Sequence, residues 1–259
     1  MTTIGSRISC TLAALALSLG AANVRSAELP AQLQWAARTE LGTPVSGVVR
    51  EVLVRAGDEA AAGAPLVRLD ARGFEATLAA ATAEVERLKP VAEEAQRELD
   101  RARELFDRAV LAMHDLQIAE VGLAKTTAEL RKAEADRDRA QLDLEYAELR
   151  APYSARVLAV KVAPGQTIVS RLRSEPLAIV AAKDRMRAVA AVDGTQAARA
   201  RIGMPATVRI GERTFRGAVS EIGLEPIADN GQRYALVVEF APGDALLRAG
   251  QNAIVDLGP

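Results

Sequence analysis

The chain has 259 residues, enough for two or three small domains with their own cores. Apolar residues make up 49% of it but aromatic residues only 3%, which is unusual for a compact enzyme whose core is filled by large rings. This composition favours a chain in which much of the length is helix with Ala and Leu in a narrow seam. The formal net charge of -1 excludes a global field that would attract nucleic acid or an anionic membrane.

The first 27 residues have the pattern of an export signal. Arg7 supplies a positive start, residues 11–19 (TLAALALSL) form a short apolar stretch, and residues 20–22 (GAA) offer small side chains for cleavage. The alternative is a membrane anchor, but a spanning helix needs about 20 apolar residues. Cys10, the only cysteine, lies before the apolar stretch, whereas a lipoprotein cysteine would follow it. We therefore expect a cleaved signal, export to the periplasm and a mature chain without cysteine.

After a weakly alternating region at 28–43, residues 44–70 have the pattern of a β-domain. Val48, Val49, Val52 and Val54 are β-branched, and Gly57-Asp58 and Gly63-Ala64-Pro65 are turn signals. Strand-like residues return at 151–181, after a helical stretch that must end before Pro152.

Between these β-segments, residues 71–150 follow a heptad period that predicts two antiparallel helices. The first arm has apolar residues at all ten seam positions: Leu78, Ala81, Val85, Leu88, Ala92, Ala95, Leu99, Ala102, Phe106 and Ala109. The second arm has eight of ten, at Leu116, Ala119, Leu123, Leu130, Ala133, Ala140, Leu144 and Ala147, with Thr126 and Arg137 as exceptions. The spacing predicts the turn at 110–115, a kink or short break near Pro90, and the ion pairs Glu93–Arg97 and Glu104–Arg108.

The two β-segments resemble each other. Val52 and Val54 correspond to Val160 and Val162, and Gly57 corresponds to Gly165. Neither segment can bury its apolar face alone, so we expect the two to pack as one flattened sandwich from which the hairpin projects.

Segments 46–70 (SGVVREVLVRAGDEAAAGAPLVRLD) and 149–180 (LRAPYSARVLAVKVAPGQTIVSRLRSEPLAIV) resemble the periplasmic adaptor, or membrane fusion protein, family of tripartite efflux pumps. The resemblance implies an α+β fold: a split lipoyl-like β-sandwich interrupted by a long antiparallel coiled-coil α-hairpin, followed by a small β-barrel domain. It extends through residues 182–259, where five strands and a short helix capped by Asp193 are expected. Many members continue into a membrane-proximal domain. We expect that domain to be absent here or reduced to residues near 28–43.

The resemblance implies an adaptor that bridges an inner-membrane transporter and an outer-membrane channel protein, and that self-associates as a homo-oligomer. Partner-binding residues are then expected at the hairpin tip. Arg101 and Leu105 match the family's tip pattern, but position 112 is Ala where the family carries Ser. Three neighbouring apolar residues extend the candidate set: Val110, Leu111 and Met113. Those three could equally do no more than close the hairpin.

No catalytic, cofactor-binding or metal site is expected, and no nucleic-acid partner. Lys161 lies within the second half-motif, whereas lipoyl and biotinyl carriers present their lysine on the turn that the hairpin replaces here. His114 is the only histidine and lacks converging ligands. Two alternatives remain open: an extracytoplasmic coiled-coil scaffold without a transporter, and a biotinyl or lipoyl carrier subunit.

Overall fold

A computed structural model describes residues 28–170, 175–227 and 232–258 of the chain. The predicted export signal lies outside these residues. The elements in chain order are β1 (Glu28–Trp35), β2 (Arg38–Leu41), β3 (Gly47–Val52), β4 (Glu59–Ala60), β5 (Pro65–Leu69), α1 (Arg72–Asp107), α2 (Met113–Tyr146), β6 (Glu148–Arg150), β7 (Ala155–Val160), β8 (Thr167–Ile168), β9 (Ala178–Ala182), β10 (Met186–Asp193), α3 (Gly194–Arg199), β11 (Pro205–Ile210), β12 (Arg213–Pro226), β13 (Arg233–Phe240) and β14 (Asn252–Leu257). Together they confirm the predicted fold class.

Helices α1 and α2 pack antiparallel along the predicted heptad seam. Every seam residue from Leu78 to Phe106 and from Leu116 to Ala147 is buried or half-buried, while most other helical positions are exposed. Ala109, assigned to the seam from the sequence, lies in the turn instead. Helix α1 is continuous through Pro90, so a break does not occur there. The neighbouring seam residue Leu88 is 6% exposed, and its packing against α2 holds the helix together across the missing hydrogen bond.

Two four-stranded sheets form the lipoyl-like sandwich, and both contain strands from before and after the hairpin. One sheet has the order β2-β9-β7-β4 and the other β6-β5-β3-β8. Strand β4 pairs with β7, with Glu59 opposite Arg156, and β3 pairs with β8, with Gly47 opposite Ile168. The two faces bury a common core that includes Leu66, Val67, Val157, Leu177 and Val180. The two segments are therefore halves of one β-unit, as their resemblance predicts.

A closed six-stranded barrel, in the order β1-β10-β13-β12-β11-β14, forms the other β-body. The sequence-based division kept residues 28–43 apart from 182–259, but β1 closes this barrel by pairing with both β10 and β14. Leu29, Ala31 and Leu33 point from β1 into the core, which explains the alternation at the start of the chain. Asp193 caps α3 as predicted, because its side chain accepts a hydrogen bond from the Gln196 backbone N–H.

The hairpin and the barrel attach to opposite ends of the lipoyl-like body. Strand β2 begins beside the barrel and runs toward Thr43, whose buried hydroxyl donates to the Tyr146 carbonyl at the hairpin base over 2.7 Å. At the barrel end, Lys183 contacts Glu59 at 2.5 Å and Arg185 contacts Glu239 at 3.2 Å. The hydrogen bond from Lys183 lowers the pKa of Glu59 below its ordinary value. The order along the molecule is hairpin, lipoyl-like body, barrel.

Candidate functional site: the hairpin tip

The hairpin turns over residues 108–112, and its geometry centres on Ala109. Ala109 has φ +58°, a left-handed conformation that residues other than Gly rarely adopt. Its N–H donates to the Phe106 carbonyl at 2.8 Å, and the Val110 N–H donates to the Leu105 carbonyl at 3.0 Å. This pair of hydrogen bonds is a Schellman motif, which usually has Gly at the left-handed position. The motif ends α1 abruptly and directs the chain into α2.

Four of the five predicted tip residues lie at or beside this turn. Val110 is 72% exposed and Met113 is 54% exposed, while Leu105 in the last turn of α1 is 40% exposed. Leu111 is half-buried and closes the end of the seam. The exposed side chains of Val110 and Met113 form a small apolar surface at the end of the hairpin, where little core is available to cover them.

Arg101 lies lower on α1 and is already engaged within the helix. Its guanidinium contacts Glu98 at 2.5 Å and Glu94 at 2.9 Å. The hydrogen bond that Arg101 donates to Glu98, followed by the one that it donates to Glu94, raises the pKa of Arg101 above its ordinary value. Any partner carboxylate must therefore compete with two local ones, and Arg101 is less available for docking than the apolar tip.

Sequence reasoning missed two exposed apolar residues on α2, Ile118 and Val121. They are 57% and 68% exposed and lie outside the seam. Leu105 and Ile118 each immediately precede a seam residue, so in an antiparallel pair they border the same flank of the hairpin. The heptad pattern alone could have identified Ile118 and Val121 as candidates, because large apolar residues outside the seam are rarely needed for folding.

The remaining candidates from the sequence are His114 and Lys161. His114 is exposed in the first turn of α2. Among the described residues, no group of three or more His, Cys, Asp or Glu side chains is arranged to hold a metal ion. Lys161 is exposed beyond β7, and its backbone N–H donates to the Leu177 carbonyl at 2.8 Å.

Replacing Ala109 with Gly should stabilise the protein by about 1 kcal/mol, because Gly adopts the left-handed conformation without a steric penalty. Urea unfolding followed by the helical circular dichroism signal measures this effect. Ala83→Gly is the matched control, because Ala83 is exposed inside α1, where Gly should instead destabilise the protein by about 1 kcal/mol. Destabilisation of the Ala109 variant to the same extent would contradict the strained turn.

Comparisons with known proteins agree with this geometry. The family model described as the alpha-helical hairpin domain of the pHBA AAEA subunit matches residues 72–145. The chain is 29% identical to the nodulation protein NolF of Rhizobium meliloti, over 85% of this chain and 60% of that protein. It is 30% identical to the pyoverdine export membrane fusion protein PvdR of Pseudomonas aeruginosa, over 71% of this chain and 51% of that protein.

Two solved structures have the same fold. The membrane fusion protein Spr0693 of Streptococcus pneumoniae R6 superposes with a TM-score of 0.67 at 15% identity, covering 90% of this chain and 99% of that one. A MacA-MexA chimera with the Pseudomonas aeruginosa MexA hairpin superposes with a TM-score of 0.68 at 18% identity, covering 90% of this chain and 81% of that one. The described residues include no helix with the length and hydropathy needed to cross a membrane.

A split lipoyl-like body with a coiled-coil hairpin at one end and a closed barrel at the other is the fold that this chain shares with those two structures. The hairpin match, together with a relative that is itself named as a membrane fusion protein, supports a membrane fusion, or periplasmic adaptor, protein. The chain spans 60% and 51% of the lengths of NolF and PvdR.

Proposed function

We propose that this protein is the periplasmic adaptor subunit of an efflux pump and joins an inner-membrane transporter to an outer-membrane channel. The observation that carries the proposal is the linear order of hairpin, lipoyl-like body and barrel, with exposed apolar residues at the free end of the hairpin. A chain of this shape can contact one partner at each end and span the distance between them. Its role is mechanical, namely coupling, spacing and sealing, and requires no catalytic residue.

The length of the hairpin suits this role. Helix α1 has 36 residues and α2 has 34, so at about 1.5 Å per residue the hairpin is on the order of 50 Å long. Its seam is narrow and rich in Ala, so it forms a thin rod rather than a globular core. A rod of this length with Val110 and Met113 exposed at its end serves to reach a partner. Several copies around one transporter would enclose the path between the membranes.

The relatives' names support export as the process. PvdR is named for pyoverdine export and as a membrane fusion protein, and the Escherichia coli K12 relative MdtN, 26% identical over 76% of this chain and 66% of that protein, is named for multidrug resistance. We extend export, though not a particular substrate, to this protein.

Capture of the tagged, full-length chain from chemically cross-linked cell envelopes tests the proposal. We expect an inner-membrane transporter and an outer-membrane channel to be recovered together. Recovery of neither would favour a coiled-coil scaffold without a transporter. A biotin or lipoyl adduct in the intact mass of the purified protein would instead establish a carrier subunit.

A further inference from the structure

One methionine of the described residues is exposed, and it lies at the hairpin tip. Met113, the first residue of α2, is 54% exposed. Met186 on β10 is 1% exposed, and Met204 is half-buried against the barrel core. The thioether sulfur of methionine is oxidised readily where oxidants can reach it. Of these three residues, Met113 is therefore the most open to oxidation.

Met113 contributes its sulfur to a surface that is otherwise hydrocarbon. Val110 beside it is 72% exposed, and neither its side chain nor that of Leu105 has an atom that mild oxidants attack. A partner that recognises this surface must bury apolar side chains. The polarity of the Met113 side chain therefore bears directly on docking.

Several charges on α1 below the tip are engaged in ion pairs within the helix. The predicted Glu104–Arg108 pair is present. Arg97, expected from the sequence to pair with Glu93, contacts Glu94 at 2.7 Å instead. Because these side chains already have local partners, the apolar residues are the more available part of the tip.

Oxidation of Met113 should leave the hairpin folded. The seam of α2 begins at Leu116, so Met113 takes no part in the packing between the helices. Helix α2 has no side-chain cap at its start, and the first N–H groups of a helix lack intrahelical acceptors. A sulfoxide oxygen there carries partial negative charge at the end of the helix dipole that favours it. The modification would change the surface without unfolding the protein.

We infer that Met113 is a reversible oxidation site whose state decides whether the hairpin tip can dock. The oxidant is a hydroperoxide: the sulfur lone pair attacks its terminal oxygen, the S–O bond forms as the O–O bond breaks, and proton transfer releases water or an alcohol. The sulfur loses two electrons and the peroxide gains them. Reduction by a dithiol, catalysed by a methionine sulfoxide reductase, restores the thioether and releases water. The inference rests on the proposed function, in which the tip meets the channel.

The polarity of the product explains the switch. A sulfoxide is strongly dipolar and accepts hydrogen bonds, so burial against an apolar partner surface removes the water that solvated it and supplies no replacement. In an assembled pump the partner covers Met113 and keeps the oxidant away from the sulfur. Oxidation should therefore block the docking of free chains and leave existing complexes intact.

Peptide mass spectrometry of the purified full-length chain during hydrogen peroxide treatment tests the site. The gain of one oxygen should be at least about tenfold faster at Met113 than at Met204, and slowest at Met186. The helical circular dichroism signal should not change while Met113 alone is oxidised. Equal rates at Met113 and Met204, or loss of the helical signal, would overturn the inference.

Capture of partners tests the consequence. The purified tagged chain, untreated or oxidised, is incubated with detergent-solubilised envelopes from cells that lack it, then cross-linked and recovered. Recovery of the outer-membrane channel should fall about tenfold on oxidation and return after treatment with methionine sulfoxide reductase, while recovery of the transporter stays unchanged. Met113→Leu is the matched control: it is apolar and inert to peroxide, so it should recover the channel before and after treatment. Met113→Gln, polar and of similar length, should recover little channel without any oxidant.

These outcomes separate the switch from the adaptor role. Equal losses in the parent chain and in Met113→Leu after oxidation, or full recovery of the channel by the oxidised parent, would overturn the switch and leave the adaptor role intact. Failure of the untreated parent chain to recover a channel would instead remove the proposed function, and the switch with it.

Discussion

Replacing Val110 and Met113 with Asp should abolish recovery of the outer-membrane channel while leaving recovery of the transporter unchanged. Both side chains are exposed, at 72% and 54%, and lie at the free end of the hairpin. Burying a carboxylate against an apolar partner surface costs more than the contact contributes, so a loss of about 2 kcal/mol per residue, roughly 30-fold in affinity, is expected for each. Quantitative capture from cross-linked envelopes measures the effect.

Ile202→Asp is the control for that pair. Ile202 is 74% exposed but lies in the barrel body, so the same change in chemistry is made far from the tip. All three substitutions should leave the unfolding temperature nearly unchanged, because exposed sites contribute little to folding. Retention of the channel by the tip variant, or its loss in the Ile202 variant, would show that the tip surface is not the docking site.

Leu99→Ala should destabilise the hairpin by about 2–5 kcal/mol, the range found for large-to-small changes in cores. Leu99 is 3% exposed in the seam, where its loss leaves a cavity between the two helices. The measurement is urea unfolding followed by the helical circular dichroism signal. Export should fall with it, because a frayed hairpin cannot hold its tip in place.

Val91→Ala provides the comparison for Leu99. Val91 is on the same helix but 41% exposed, so its truncation should cost less than about 1 kcal/mol. If both changes cost the same, the helices would not be held by the heptad seam. A large effect at Val91 alone would place the packing surface on another face of α1.

The fold was predictable wherever the pattern was periodic or repeated. The heptad spacing identified the seam residue by residue, because an antiparallel helix pair buries only one narrow stripe of each helix. The similarity of the segments around Gly57 and Gly165 identified the split sandwich, because half a sandwich cannot bury its own face. These signals are local in the sequence or compare two short segments.

Features that depend on distant pairing were not predictable in the same way. Strand β1 closes the barrel against β14, with Leu29 opposite Val255, and nothing in the first strand specifies so remote a partner. The left-handed Ala109 was also missed, since Ala carries no turn signal of the kind that Gly gives. At the tip, Val110 and Met113 were proposed from the sequence, but Ile118 and Val121 were not, although the predicted seam already placed both of them outside it.

Site-specific photo-cross-linking in growing cells, from Val110 and from Leu224, tests the adaptor role most directly. Leu224 is 94% exposed near the end of β12, at the barrel end remote from the lipoyl-like body, because β12 and β13 pair there through Pro226 and Tyr234. We predict that a photo-reactive residue at 110 links to an outer-membrane channel and one at 224 links to an inner-membrane transporter. Linkage of both positions to the same protein, or of neither to a membrane protein, would contradict the account.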